Sequence, residues 1–205
     1  MIEFAVDVIN QIGLIGAGLL IAIEVVVPPI PSEAILLLTG FNVSLERFGF
    51  FDALIATTIG SLLGATLLYF FGFMFPEDKI EKIIGKYGHY VGLPLKDFKK
   101  TMDWFRKYGS ALVLFGRMIP IIRSLVSIPA GHVRMHLGKF YFYTAIGALA
   151  WNSIWISIGL NLGENWQVGE QFAQYVEWVA YVILAGVALY LAINVVRFLV
   201  SRLNR

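Results

Sequence analysis

Four charged residues stand inside apolar segments that proline interrupts. Glu24 and Glu33 lie in the first segment, and Arg117 and Arg123 lie in the second. A charge at membrane depth costs at least ~2.5–3.5 kcal/mol and usually marks a substrate or ion pathway. Proline forces the backbone out of helix, which lipid tolerates only where protein or water covers it. The two segments therefore predict one polar site in the middle of a membrane protein. The residues expected to break the helices are Pro28, Pro31, Pro120, Pro129 and Gly131.

The two arginines suit the binding of a phosphate group. Arginine keeps its charge at physiological pH and grips phosphate oxygens through two parallel hydrogen bonds. On an unbroken helix, Arg117 and Arg123 would point about 120° apart, and the break at Pro120 removes that constraint. The hypothesis is that both hold a lipid phosphate. The alternative is a structural ion pair with Glu24 and Glu33, and a substrate that displaces the pair would reconcile the two.

Glu24 and Glu33 are candidates for proton coupling or for counter-charge. Burial favours the protonated carboxyl group, whereas a nearby arginine favours the carboxylate. An anionic headgroup that takes over the arginines would let a glutamate gain a proton. The sequence therefore predicts transport that depends on a proton gradient.

Composition places the chain among membrane proteins. Of its 205 residues 58% are hydrophobic and 15% are charged, against about 45–50% and 25% in soluble domains. It has no cysteine, which excludes disulfides and thiolate metal sites. His132 and His136 have metal-ligand spacing but no third ligand nearby, so neither a metal nor another cofactor is expected. Nothing in the sequence indicates nucleic-acid binding.

The predicted fold is an all-α single membrane domain over residues 1–205. It is an inverted repeat with two oppositely oriented re-entrant helical hairpins, transmembrane helices and cytoplasmic amphipathic helices. The predicted elements are an N-terminal helix (1–20), re-entrant hairpin 1 (21–44), a transmembrane helix (48–75), amphipathic helices (77–109), re-entrant hairpin 2 (110–131) and two transmembrane helices (140–161 and 178–200).

The opposite orientation follows from the distribution of basic residues. Lys and Arg are concentrated in 77–109, 132–139 and the C-terminus, whereas 164–177 is acidic. The positive-inside rule places the basic stretches in the cytoplasm. Residues 110–131 must then enter and leave on one side, and the first hairpin must open to the other. Substrate sites of inverted repeats form at the midplane from broken helices.

The chain resembles the DedA family, also called the SNARE-associated or VTT-domain family, over residues 21–166. The residues that carry the resemblance are Glu24, Pro28, Pro31, Ser32, Glu33, Gly60, Gly64, Tyr69, Gly72, the run from Gly116 to Arg123, the run from Ile128 to Gly131, and Met135. Ala65 and Phe73 stand where many members carry an acid and a base, so no role of those two charges transfers to this chain.

The resemblance implies a bacterial cytoplasmic membrane protein that moves lipid headgroups, with links to the proton-motive force. It also implies that Glu24, Glu33, Arg117 and Arg123 are essential. The expected function is transport of undecaprenyl phosphate, and the C-terminus is expected in the cytoplasm. The alternatives are a phosphatidylethanolamine flippase or scramblase, a proton-coupled ion exchanger and an intramembrane lipid phosphatase. No enzymatic activity is expected, and the sequence leaves the oligomeric state open.

Overall fold

The structure is a computed structural model that describes residues 2–26, 32–75, 77–87, 95–119, 122–165 and 182. Within these residues the chain is helical and contains no β-strand, which confirms the all-α prediction for them. The helices are α1 (Ile2–Val26), α2 (Ser32–Ser44), α3 (Phe50–Phe73), α4 (Glu77–Tyr87), α5 (Leu95–Gly116), α6 (Ile122–Leu125), α7 (Ser127–His132) and α8 (Leu137–Leu162). A 3-10 turn, Gly163–Asn165, follows α8.

Three of the described helices are long and apolar enough to cross a membrane, namely Phe4–Val26, Phe50–Phe73 and Leu137–Asn165. The last two correspond to the predicted transmembrane helices 48–75 and 140–161. The predicted helix 178–200 lies outside the described residues. One face of α3 suits contact with lipid, because every fourth side chain along it is more than half exposed and apolar. These side chains are Phe51, Ile55, Ile59, Leu63 and Leu67.

α1 bends at Gly13, whose φ of 58° and ψ of −135° form a combination that only glycine adopts readily. The bend leaves an apolar leg, residues 14–26, that ends just before the prolines. The predicted boundary at residue 20 therefore falls within this leg. α2 has 13 residues and spans about 20 Å at 1.5 Å per residue, short of a ~30 Å hydrocarbon core.

α4 and α5 form the basic, amphipathic part of the chain. Lys99 Nζ on α5 lies 2.8 Å from Glu81 Oε2 on α4, which joins the two helices. α5 does not stop at the predicted boundary of residue 109 but continues to Gly116. One helix thus leads from the charged surface into the second broken segment.

Glycines bring the helices into backbone contact. A Cβ atom at Gly60 would overlap the Gly18 carbonyl on α1, and one at Gly64 would lie 2.6 Å from the Ala22 carbonyl oxygen. Gly60 and Gly64 form a small-xxx-small pattern that lets α1 and α3 approach this closely. α1 and α3 run parallel here, since Gly18 faces Gly60 and Ala22 faces Gly64.

Glycines also bring two further pairs of helices into backbone contact, and in these pairs the contacts are reciprocal. Between α2 and α8, Gly40 faces the Ile156 carbonyl and Gly159 faces the Leu37 carbonyl. Between α7 and α3, Gly131 faces the Tyr69 carbonyl and Gly72 faces the Ile128 carbonyl. In each of the four helices, the contacting carbonyl precedes the glycine by three residues.

Candidate functional site

The two predicted arginines lie on either side of an interruption in the helix. α5 ends at Gly116, and the Met118 and Ile119 amides bond to carbonyls three residues earlier, at 3.0 and 3.2 Å. Arg117 is the first residue past the carboxyl end of α5, where the helix dipole favours a cation. Arg123 follows in α6. The interruption thus separates two arginines that one straight helix would point in different directions.

All four predicted charges are buried. Arg117 and Glu33 are each 4% exposed, Glu24 is 5% exposed and Arg123 is 7% exposed. Arg123 Nη2 lies 2.5 Å from Glu24 Oε1, which forms an ion pair between α6 and α1. The structure therefore contains the ion pair that was the alternative to phosphate binding, with Arg123 and Glu24 as its partners.

Arg117 makes a different contact. Its Nη2 donates a 3.0 Å hydrogen bond to Ser127 Oγ on α7. It also interacts electrostatically with Arg123 and with Glu24. Two guanidinium groups at close range repel each other, and an anion placed between them would relieve that repulsion.

Glu33 lies in the first turn of α2, where the positive end of the helix favours a carboxylate. It interacts electrostatically with Glu24. Glu24 itself lies near the C-terminus of α1, where the helix dipole disfavours an acid. The carboxylate of Glu24 therefore depends on Arg123 for its stabilisation more than that of Glu33 does.

A small cavity lies beside the two arginines. Its volume is about 10 Å³, room for about one water molecule at most. The Arg123 guanidinium carbon lies 5.7 Å from the centroid of the Trp151 ring, a cation–π contact. The cavity is too small for a phosphate in this conformation. It is lined by Val25, Ser61, Arg117, Arg123, Ala148, Trp151 and Asn152.

Two polar atoms of the site keep hydrogen-bonding capacity. Within the residues that the structure describes, neither Glu24 Oε2 nor Arg117 Nε has a hydrogen-bond partner. Buried groups of this kind cost about 1–3 kcal/mol each when they stay unsatisfied. A ligand that accepts from Arg117 would recover part of that cost.

The predicted helix breakers fall into two groups. Pro28, Pro31 and Pro120 lie outside the described residues. Pro129 lies in the first turn of α7, and because it has no amide hydrogen it cannot bond to the Leu125 carbonyl, which separates α7 from α6. Gly131 lies within α7 and allows its contact with Tyr69.

Some residues of the site were not predicted from the sequence. Ser127 gave no signal, because a serine in an apolar run is usually a local hydrogen-bond partner. Trp151 gave no specific signal either, because a tryptophan in an apolar helix usually serves packing. Asn152 Nδ2 on α8 donates a 3.4 Å hydrogen bond to Thr58 Oγ1 on α3, so it joins the two helices.

The two histidines have local partners. His132 is buried, with Nδ1 3.1 Å from the Phe75 carbonyl oxygen, and His136 Nδ1 accepts from the Gly138 amide at 3.1 Å. The described residues contain no group of three or more His, Asp or Glu that could hold a metal ion.

Comparison with known proteins identifies the family. The VTT domain matches residues 30–161. Undecaprenyl phosphate transporter A of Staphylococcus aureus is 30% identical over 194 residues, which cover 95% of this chain and 96% of the relative. The alkaline phosphatase-like protein of Lactococcus lactis subsp. cremoris is 43% identical over 169 residues, 82% of this chain and 79% of the relative.

Protein DedA of Escherichia coli is a more distant relative, 26% identical over 68% of this chain and 62% of its own length. No solved structure matches the chain. Because the domain match covers well over half of the sequence and includes Glu33, Arg117 and Arg123, the chain belongs to the VTT-domain (DedA) family of bacterial membrane proteins.

Proposed function

We propose that this protein moves a phosphate-bearing lipid, undecaprenyl phosphate in the first place, across the bacterial cytoplasmic membrane without changing it chemically. The observation that carries the proposal is the burial of Arg117 and Arg123 together at a helix interruption. Two arginines match the charge of a phosphomonoester and bind its oxygens through short, charge-assisted hydrogen bonds. Two relatives are named for transport of this lipid.

The Arg123–Glu24 ion pair corresponds to the resting state in this proposal. With a cavity of about 10 Å³ the site has no room for a phosphate. The lipid phosphate therefore displaces Glu24 from Arg123 and widens the space between the arginines. Glu24 loses its counter-charge in that step and takes up a proton, with Glu33 as the second candidate for the same role.

An inverted repeat with two re-entrant hairpins is the architecture that we propose for this site. The contacts of Gly40 and Gly159 resemble those of Gly131 and Gly72, which supports the repeat. In the first pair, α2 of hairpin 1 packs on α8, and in the second, α7 of hairpin 2 packs on α3. Each hairpin helix thus packs on the transmembrane helix of the other repeat. Gly60 and Gly147 extend the match. Gly60 lies twelve residues before Gly72 on α3, and Gly147 lies twelve residues before Gly159 on α8. Gly60 contacts α1 and Gly147 contacts α5, which in each case is the first helix of the hairpin in the same repeat.

The depth of the site follows from the packing of α1 on α3. Gly18 and Ala22 face Gly60 and Gly64, which places Glu24 close to the middle of the 24-residue α3. A leg of 13 residues covers about 20 Å and reaches the midplane without crossing. In the proposed topology the first hairpin enters from outside, the second enters from the cytoplasm, and the C-terminus is cytoplasmic.

The first prediction concerns the substrate. Purified protein in liposomes should move a fluorescent prenyl phosphate between leaflets. It should move phosphatidylethanolamine more slowly, because the single negative charge of that phosphate balances only one of the two arginines. The prenyl alcohol should not move. The same samples are assayed for inorganic phosphate, since two lactococcal relatives carry a phosphatase-like name. Release of phosphate would indicate an enzyme, and ion flux without lipid movement would indicate an exchanger.

The second prediction concerns proton coupling. In liposomes with an imposed pH gradient, wild-type transport of prenyl phosphate should follow the gradient, and Glu24→Gln should make the rate independent of it. Glutamine keeps the size of the side chain but cannot exchange a proton. Glu46→Gln is the control, because Glu46 lies in the exposed turn after α2 and should leave the dependence unchanged. If Glu24→Gln and Glu33→Gln both retain the wild-type dependence, neither glutamate couples transport to protons.

A further inference from the structure

A second basic site lies away from the buried arginines, in a cleft between α5 and the turn that joins α7 to α8. Its volume is about 280 Å³, several times the ~30 Å³ of a water molecule. Its basic side chains are Lys107, His136 and Lys139, together with Arg106, which also pairs with Asp103, and Ser110 adds a hydroxyl group. None of the lining residues in the described part of the chain is acidic. The cleft therefore has the size and charge for an anionic group.

The N-terminus of α8 adds donors to this cleft. His136 caps the helix, and because its Nδ1 accepts from the Gly138 amide, its Nε2 carries the ring hydrogen and can donate. The first turn of α8 contains no acidic residue. The positive end of a 26-residue helix thus borders the same cleft as Lys139.

The turn that forms one wall is held firmly. The Met135 amide bonds to the Ala130 carbonyl at 3.0 Å, and the Arg134 amide bonds to the Gly131 carbonyl at 2.9 Å. This is a Schellman ending of α7, with Arg134 at φ 53° in the position where glycine is usual. Tyr69 Oη on α3 donates a 2.6 Å hydrogen bond to the Met135 carbonyl. The cleft is therefore preformed.

Aromatic side chains place the cleft at the level of lipid headgroups. Trp104 and Tyr108 on α5 and Tyr141 and Phe142 on α8 are exposed close to the lining residues. Trp and Tyr concentrate at the membrane–water boundary. Lys139 also lies at the start of the membrane-crossing segment Leu137–Asn165. A lipid phosphate at this depth would reach the cleft directly.

An apolar groove of about 480 Å³ adjoins the cleft. Phe105 lines both, and the groove follows α5 past Ala111 and Phe115 to Gly116 and Ile119. It therefore ends at the residues on either side of Arg117. Its lining is almost entirely apolar, as a hydrocarbon chain requires.

We propose that the cleft binds the phosphate of an anionic lipid and that the groove binds the adjoining part of its hydrocarbon chain. The basic residues of α5 and of the turn predict that this face is cytoplasmic. Binding at the cleft does not depend on transport. Its role as the place where lipid loads before it reaches Arg117 rests on the proposed function.

The absence of cysteine allows a site-specific test. Ala111→Cys puts one thiol into the groove of the full-length protein, in nanodiscs of neutral lipid. A short-chain prenyl phosphate should slow its reaction with a water-soluble maleimide, and the prenyl alcohol and inorganic phosphate should not. In Lys107→Gln/Lys139→Gln, the half-protecting concentration should rise at least about tenfold, because the charge-assisted hydrogen bonds of both lysines are lost. Lys96→Gln/Lys100→Gln removes the same charge from α5 outside the cleft and should change it less than about twofold.

Any of three outcomes would overturn the proposal. Equal protection by the alcohol would remove the role of phosphate, and protection by inorganic phosphate alone would make the cleft a site for the free anion. A thiol that never reacts would mean that another part of the chain fills the groove. Protection that survives in Arg117→Lys while transport fails would leave the cleft intact, so the two proposals fail separately.

Discussion

Replacing Arg123 by glutamine is expected to lower the free energy of unfolding by about 3–5 kcal/mol. The change leaves the Glu24 carboxylate buried, 5% exposed, without its ion-pair partner at 2.5 Å. Without its counter-charge, the buried Glu24 side chain either keeps the desolvation cost of a carboxylate or takes up a proton, and both cost free energy. Denaturant unfolding of the detergent-solubilised protein measures the loss.

A double variant separates the ion pair from other roles of Arg123. Glu24→Gln/Arg123→Gln removes both charges and should recover most of the lost stability, because no buried charge is left without a partner. Arg106→Gln is the matched control, since Arg106 pairs with Asp103 at 2.9 Å on an exposed surface and should cost less than about 0.5 kcal/mol. Equal losses for Arg123→Gln and Arg106→Gln would contradict a buried ion pair.

Adding one methyl group at Gly131 is expected to destabilise the protein by about 1–3 kcal/mol, as overpacking does elsewhere. A Cβ there would overlap the Tyr69 carbonyl oxygen on α3. A backbone oxygen cannot rotate aside as a side chain can, so the two helices must separate. Gly40→Ala meets the Ile156 carbonyl in the same way. If the two positions are equivalent in an inverted repeat, the two losses should agree within experimental error.

Gly85→Ala controls for the general effect of replacing a helical glycine. Gly85 lies in α4, and its added Cβ would lie 3.8 Å from Leu95 Cδ2, an ordinary contact. Alanine is favoured over glycine in a helix by roughly 0.5–1 kcal/mol, so this variant should gain stability. Thermal unfolding of the three proteins in one detergent makes the comparison. A neutral Gly131→Ala would rule out the close contact between α7 and α3.

The sequence reveals the buried charges and the helix interruption, because each depends on local composition. Proline and charge in an apolar run are visible without knowing what packs nearby. The partner of each charge is not visible. Whether Arg123 or Arg117 meets Glu24 depends on how α6 crosses α1, and the sequence contains no signal for that crossing. For the same reason, the sequence did not show that Ser127 and Trp151 belong to the site.

The reciprocal glycine contacts and the basic cleft were missed for a different reason. Gly40 and Gly159 each look like an isolated small residue, and only their pairing between α2 and α8 shows the repeat. Lys107 and Lys139 were recognised as parts of two basic stretches, but nothing local places them on one cleft. The continuation of α5 through residue 109 was missed because the sequence changes there from an amphipathic to an apolar pattern. Such a change usually indicates the end of a helix, but α5 continues to Gly116.

The most direct test of the central claim is the rate of prenyl phosphate movement between leaflets in liposomes that contain Arg117→Lys or the control Arg47→Lys. Lysine keeps the charge but cannot bind phosphate through two parallel hydrogen bonds. Arg47 bonds to Asn10 and Asn42 at 2.8 Å, outside the buried site. We predict a loss of at least about tenfold for Arg117→Lys, as expected for one lost charge-assisted hydrogen bond, and a near wild-type rate for Arg47→Lys. Equal rates in both variants would contradict phosphate recognition by the buried arginines.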